Sequence, residues 1–132
     1  MPAAFLSPLV IRALSHEELT ALDADRQLYA LQSEFVYDSE IVGRVTVPAG
    51  FVTDFASVPS ASKWFVDDDS PEILFASIIH DYLYSWRASV DCTRAQADAV
   101  LAEGMALCGA SYFQRKIILL AVRTAGGSHW KK

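Results

Sequence analysis

The amino-acid sequence predicts an α+β protein, with N-terminal antiparallel β-strands forming a hairpin and a C-terminal half of three helices. β-branched and aromatic residues crowd the part of the chain before Pro48, whereas helix-capping signals recur after residue 69. The 132 residues, 52% of them apolar, suffice for one core and not for two. One domain over residues 1–132 is therefore expected, with a β-rich half at 1–69 and a helical half at 70–126.

Leu9–Leu14 is a candidate first strand, and Glu18–Asp25 fits either a short helix or a loop. Gln27–Tyr37 and Ile41–Val47 read as two strands, and the break Asp38-Ser39-Glu40 between them reads as their hairpin turn. Pro48-Ala49-Gly50 closes the second strand. The following segment, Phe51 to Pro59, has mixed polarity and reads as an ordered loop, the kind of element that often carries function.

Ser70 is a suitable N-cap, Pro71 suits a first helical position, and Glu72 favours the positive end of the helix, which should extend to about Trp86. Thr93 is expected to cap a second helix ending near Cys108, with Gly109 as its stop. Ser111 should cap a third from Tyr112 to Thr124, ended by Gly126-Gly127. Short connections make consecutive helices antiparallel neighbours.

Eleven basic and sixteen acidic residues give a formal charge of -5, with the basic residues scattered apart from Arg115-Lys116 and Lys131-Lys132. That balance argues against nucleic acid as a main partner, because phosphate binding needs a basic face. The N-terminus lacks the basic region of a signal peptide, and the apolar stretch inside Lys116–Arg123 is far shorter than the roughly 20 residues that span a bilayer. A soluble protein is expected. Cys92 and Cys108 read as small apolar residues folded in a reducing compartment. Neither a Gly-x-Ser-x-Gly elbow, a phosphate loop, a dinucleotide fingerprint nor His-Glu-x-x-His occurs, and those enzyme classes lose support.

His80 and Asp81 form the most unusual pair. Successive helical residues turn by about 100°, so Ile73, Ala76, Ser77, His80 and Tyr84 share one stripe, while Asp81 projects about a quarter turn away. His80 could be a buried histidine satisfied by a single hydrogen bond. Against that, Asp81, Tyr82 and Tyr84 are costly to bury without partners in a helix otherwise made of Ile, Leu, Phe and Ala. Asp98 stands among Ala95, Leu101, Ala102 and Met105, with Arg94 the one charged neighbour on its stripe. Helix-hairpin geometry puts Asp98 at the height of His80, and an Asp98···His80 hydrogen bond would fix the ring tautomer and raise its basicity. The competing expectation is an Asp98–Arg94 bridge along one helix. Thr53, Asp54 and Ser57 are the candidate substrate or loop residues. Folded over the helix, Asp54 could join Asp81 around a hard divalent cation such as calcium, although an Asp in a loop more commonly forms an Asx-turn. Asp67-Asp68-Asp69 reads as a solvated turn complementing the helix start.

Gly50–Pro59, His80-Asp81-Tyr82-Leu83-Tyr84, Arg94–Asp98 and Ala121–Gly126, in that order, resemble a small family of uncharacterised proteins of tailed bacteriophages and prophages. The resemblance covers about residues 40 to 127. It implies assembly in the bacterial host cytoplasm, other phage structural proteins as partners, and a place in the virion, for example the tail. A weaker, local resemblance links His80-Asp81-x-x-Tyr84 to the His-Asp-x-x-Tyr helix of secreted phospholipases of the A-two class, in which an Asp on the antiparallel helix holds the histidine. It implies that His80 activates water, that Asp81 binds calcium, and that Asp98 with Tyr84 orients His80. The dense disulfides and glycine-rich calcium loop of those enzymes are missing.

Two expectations follow. In the first the chain is a small hydrolase, acting on a bacterial envelope component such as lipid or peptidoglycan, with His80, Asp98 and Tyr84 as its catalytic group and Asp81 with Asp54 at a cation. In the second it is a non-catalytic tail component in which Asp54, His80, Asp81 and Asp98 form a buried polar network.

Overall fold

A computed structural model describes residues 2–53, 73–125 and 130–131. Its architecture is α+β, with antiparallel strands in the N-terminal half and helices in the C-terminal half. The strands are β1 (Ala4–Phe5), β2 (Ile11–Ala13), β3 (Tyr29–Leu31), β4 (Phe35–Ser39), β5 (Gly43–Val47) and β6 (Val52–Thr53), with helix α1 (His16–Ala21) between β2 and β3. Two three-stranded antiparallel sheets result, ordered β1-β4-β5 and β2-β3-β6. The helices α2 (Ile73–Tyr84), α3 (Arg94–Leu107) and α4 (Tyr112–Ala125) follow.

The expected strand Gln27–Tyr37 is in fact two strands in different sheets. Gln32, Ser33 and Glu34 are all exposed between buried Leu31 and Phe35, and a strand whose side chains alternate between faces cannot expose three in succession. The hairpin turn also lies later than expected. Asp38 and Ser39 remain in β4, where Asp38 pairs with Arg44 in a two-pronged ion pair and Ser39 faces Gly43. The turn is Glu40–Val42, because the Ser39 hydroxyl accepts the backbone N–H groups of Ile41 and Val42, and Gly43 takes a left-handed φ of 84°.

Two further differences and one open alternative concern short elements. β1 was not expected from the sequence, and Val52–Thr53, read as the start of a loop, pairs with β3 as β6. The ambiguous Glu18 region is helical from His16, because Ser15 and Glu18 form a reciprocal capping box and Arg12 pairs with Glu18 at 2.8 Å. That ion pair holds the Glu18 carboxyl at about 2.

Phe35, Tyr37, Val45 and Val47 form the inward face of the β4–β5 hairpin, each fully buried in one core with Ile78, Ile79 and Leu83 of α2. Burying each such side chain is worth about 1.5–3 kcal/mol, so this face fixes α2 on the sheet. Thr93 and Gln96 form the capping box of α3, and Gly109, with a φ of 84°, follows its C-cap Cys108. Ser111 and Gln114 exchange side-chain and backbone hydrogen bonds at the start of α4. The last residues of the expected first helix, Ser85 and Trp86, lie beyond α2, while its Ser70-Pro71 start and the Gly126-Gly127 stop fall outside the described residues.

Helices α2 and α3 cross very closely. A Cβ placed on Gly104 would lie 2.9 Å from the Cβ of Ala76, one turn before His80. Below this crossing, Ala76, Leu101 and Met105 join Ile118 and Val122 of α4 in a second core cluster. Cys92 and Cys108 are both half-buried and are not joined to one another. No helix among the described residues is long and apolar enough to cross a membrane.

Candidate functional site

The close crossing of α2 and α3 brings His80 and Asp98 together. Nε2 of His80 lies 2.8 Å from Oδ1 of Asp98, as the hairpin geometry led us to expect, and the two residues are 2% and 1% exposed. The Tyr84 hydroxyl donates to the same carboxylate oxygen at 2.6 Å. His80 and Tyr84, one helical turn apart, also stack obliquely with ring centroids 4.3 Å apart.

Burial alone would push the Asp98 carboxyl up. The hydrogen bonds from His80 and Tyr84, with the charges of His80 and Arg94, outweigh it and hold the group below its ordinary value. Asp98 is therefore an ionised, acceptor-only group near neutral pH. The hydrogen on Nε2 must then point at Asp98, and in the neutral tautomer this orientation leaves Nδ1 as the acceptor nitrogen of the ring. Burial, and next the bond to Asp98, push the Tyr84 phenol up to about 12, so it stays protonated as a donor.

Arg94 departs from the expected bridge to Asp98. Its Nε donates to the Tyr84 hydroxyl at 3.1 Å, and its Nη2 donates to the carbonyls of Val122 and Arg123 at 3.2 and 2.7 Å. The reason is reach. The guanidinium extends past the neighbouring turn to the C-terminal end of α4, where carbonyls lack helical partners. Arg94 thus supports Asp98 through Tyr84 and ties α3 to α4. Trp130 meets the Tyr84 ring edge-on at 5.0 Å, and Lys131 donates from its backbone N–H to the Tyr84 carbonyl and from Nζ to that of Leu83.

Asp81 faces a different neighbour. The hydroxyl of Thr53, 5% exposed at the end of β6, donates to its Oδ2 at 2.5 Å. This contact joins the second sheet to α2, so Thr53 meets Asp81 rather than the His80–Asp98 pair. Asp54 and Ser57 lie outside the described residues, as does the tract Asp67–Asp69. A divalent cation at Asp81 would need several more oxygen donors. Among the described residues no three His, Cys, Asp or Glu side chains gather for one, and Asp81 already accepts from Thr53.

Two further residues of this region were not singled out from the sequence. Ser77 lies on the His80 stripe with its hydroxyl wholly buried and without a hydrogen-bond partner among the described residues. Glu103 of α3 accepts the Tyr37 hydroxyl at 2.6 Å and the Glu40 backbone N–H at 3.1 Å, anchoring α3 to the β4–β5 hairpin. The helical stripe placed Ser77 correctly but could not show that its hydroxyl lacks a partner. Nothing in the local pattern around Glu103 points to a residue 66 positions away.

Residues 29–122 match the family described as protein of unknown function DUF1353. No curated protein and no solved structure matches the chain. The matched segment runs from β3 through most of α4 and includes Thr53, His80, Asp81, Tyr84, Arg94 and Asp98. Because that match spans well over half of its length, the chain belongs to the DUF1353 family.

Proposed function

We propose that the chain is a small phage-encoded hydrolase acting on a bacterial envelope component, with His80 as general base and Asp98 and Tyr84 as its orienting pair. The observation that carries this reading is the single Asp98 oxygen that accepts both His80 Nε2 and the Tyr84 hydroxyl. In this mechanism Nδ1 of His80 takes a proton from water as the water oxygen bonds to the carbonyl carbon of an ester or amide. The imidazolium returns that proton to the leaving group as the acyl bond breaks. Asp98 stabilises the imidazolium, and a fixed base of this kind typically contributes 10²–10⁴-fold to rate. The phage setting rests on the resemblance carried by the four ordered motifs, and the envelope substrate is proposed from that setting.

The test compares wild type with His80→Ala and Asp98→Asn on bacterial lipid and on peptidoglycan, with and without added divalent cations. Hydrolysis by wild type that falls at least about a hundredfold in both variants supports the reading. Equal signals from all three proteins sink it for those substrates.

The 2% exposure of His80 favours a second reading, a non-catalytic component of the phage tail in which the same residues lock α2 to α3. Such a network specifies packing without turning anything over. Under it, both substitutions lower stability, no substrate is cleaved, and the protein co-purifies with assembled tails.

A further inference from the structure

Helix α4 carries two parallel rows of side chains on its outer surface. Phe113 and Leu120 are seven residues apart, as are Lys116 and Arg123, so each pair lies along one line and spans about 10 Å of helix axis. The apolar row is 64% and 69% exposed, and Tyr112, 66% exposed, stands at the head of the cationic row. Lys116 Nζ lies 5.3 Å from the Tyr112 ring centroid. The opposite side of the helix holds Ile118 and Val122, both buried against α3. Leu107, at the end of α3, is also 48% exposed.

Charge on this helix is segregated from the rest of the molecule. α4 has Arg115, Lys116 and Arg123 and not one acidic residue, in a chain whose formal charge is -5. Exposed Phe, Leu and Tyr cost solubility, and a cationic row beside them matches a negative partner. We infer that the outer face of α4 docks in the plane of an anionic phospholipid surface, Phe113 and Leu120 entering the acyl boundary while Lys116 and Arg123 meet lipid phosphates. A lipid surface suits a single convex helix better than an acidic protein does, because fluid lipid needs no complementary shape. The inference stands on α4 alone and does not require the hydrolase reading.

The experiment is co-sedimentation of the full chain with phosphatidylcholine vesicles, with and without phosphatidylglycerol. Partitioning should be at least about tenfold stronger onto the anionic vesicles, since each cation near such a surface strengthens the attraction severalfold. Leu120→Ser and the double variant Lys116→Glu/Arg123→Glu, both confined to exposed positions, should each lose most of that binding while their thermal melts stay like wild type. His80→Ala should partition like wild type, separating docking from turnover. Binding to neither vesicle, equal binding to both, or binding unchanged by either α4 variant overturns the inference. So does retention on polyglutamate resin that survives Leu120→Ser, an outcome that assigns the face to an acidic protein.

Discussion

His80 and Asp98 meet across the α2–α3 crossing with 2.8 Å between Nε2 and Oδ1, and the Tyr84 hydroxyl shares that oxygen. Removing the carboxylate leaves an imidazole N–H and a phenol buried without their acceptor. Asp98→Ala should therefore cost about 3–5 kcal/mol in urea unfolding, and a loss under about 1 kcal/mol would show that the network is not held as described.

Asp98 also sets an acid limit. Its folded carboxyl lies below its ordinary value, so the stability it supplies is complete above the unfolded value of about 3.9 and disappears as pH falls through the lower folded value. Melting temperatures of wild type should drop more steeply below about pH 4 than those of Asp98→Asn. Parallel curves would contradict this assignment.

Tyr84 works in the opposite direction. Its phenol rises from 10.0 to about 12 in the fold, so its contribution is intact below pH 10 and lost as pH climbs towards 12. Tyr84→Phe should be less stable at neutral pH by about 1–3 kcal/mol and should lose less than wild type between those limits. Chemical unfolding at stepped alkaline pH measures both effects.

Gly104 sets how near α3 comes to α2. Alanine there gains about 1 kcal/mol of helix propensity, but its Cβ would sit 2.9 Å from that of Ala76, and overpacking of this sort costs about 1–3 kcal/mol. The clash should win, leaving Gly104→Ala destabilised and its His80–Asp98 hydrogen bond lengthened. The His80 ring-nitrogen NMR shifts report that bond, and unchanged shifts with raised stability would show that the helices have room to spare.

Ser77 should behave unlike every other polar residue of the stripe. Its buried hydroxyl has no partner among the described residues, and an unsatisfied group of that kind costs about 1–3 kcal/mol. Ser77→Ala keeps the shape and should raise the urea midpoint; a lower midpoint would mean that the hydroxyl is satisfied in solution.

Much of this architecture is written in local chemistry. Thr93 with Gln96 starts α3, Gly109 follows its end, and Ser111 starts α4, because caps act on backbone groups within a few residues. The stripe shared by Ser77, His80 and Tyr84 and the height match with Asp98 follow from helical rise and turn alone. The α+β class and the His80–Asp98 pairing are therefore legible in the chain's local pattern. The remaining contacts arise from long-range packing. Gln32–Glu34 divides one apparent strand between two sheets, Arg94 passes over Asp98 to reach Tyr84 and α4, and Thr53 meets Asp81. Each depends on which distant surface arrives at that point in space, and the local sequence does not encode such a partner.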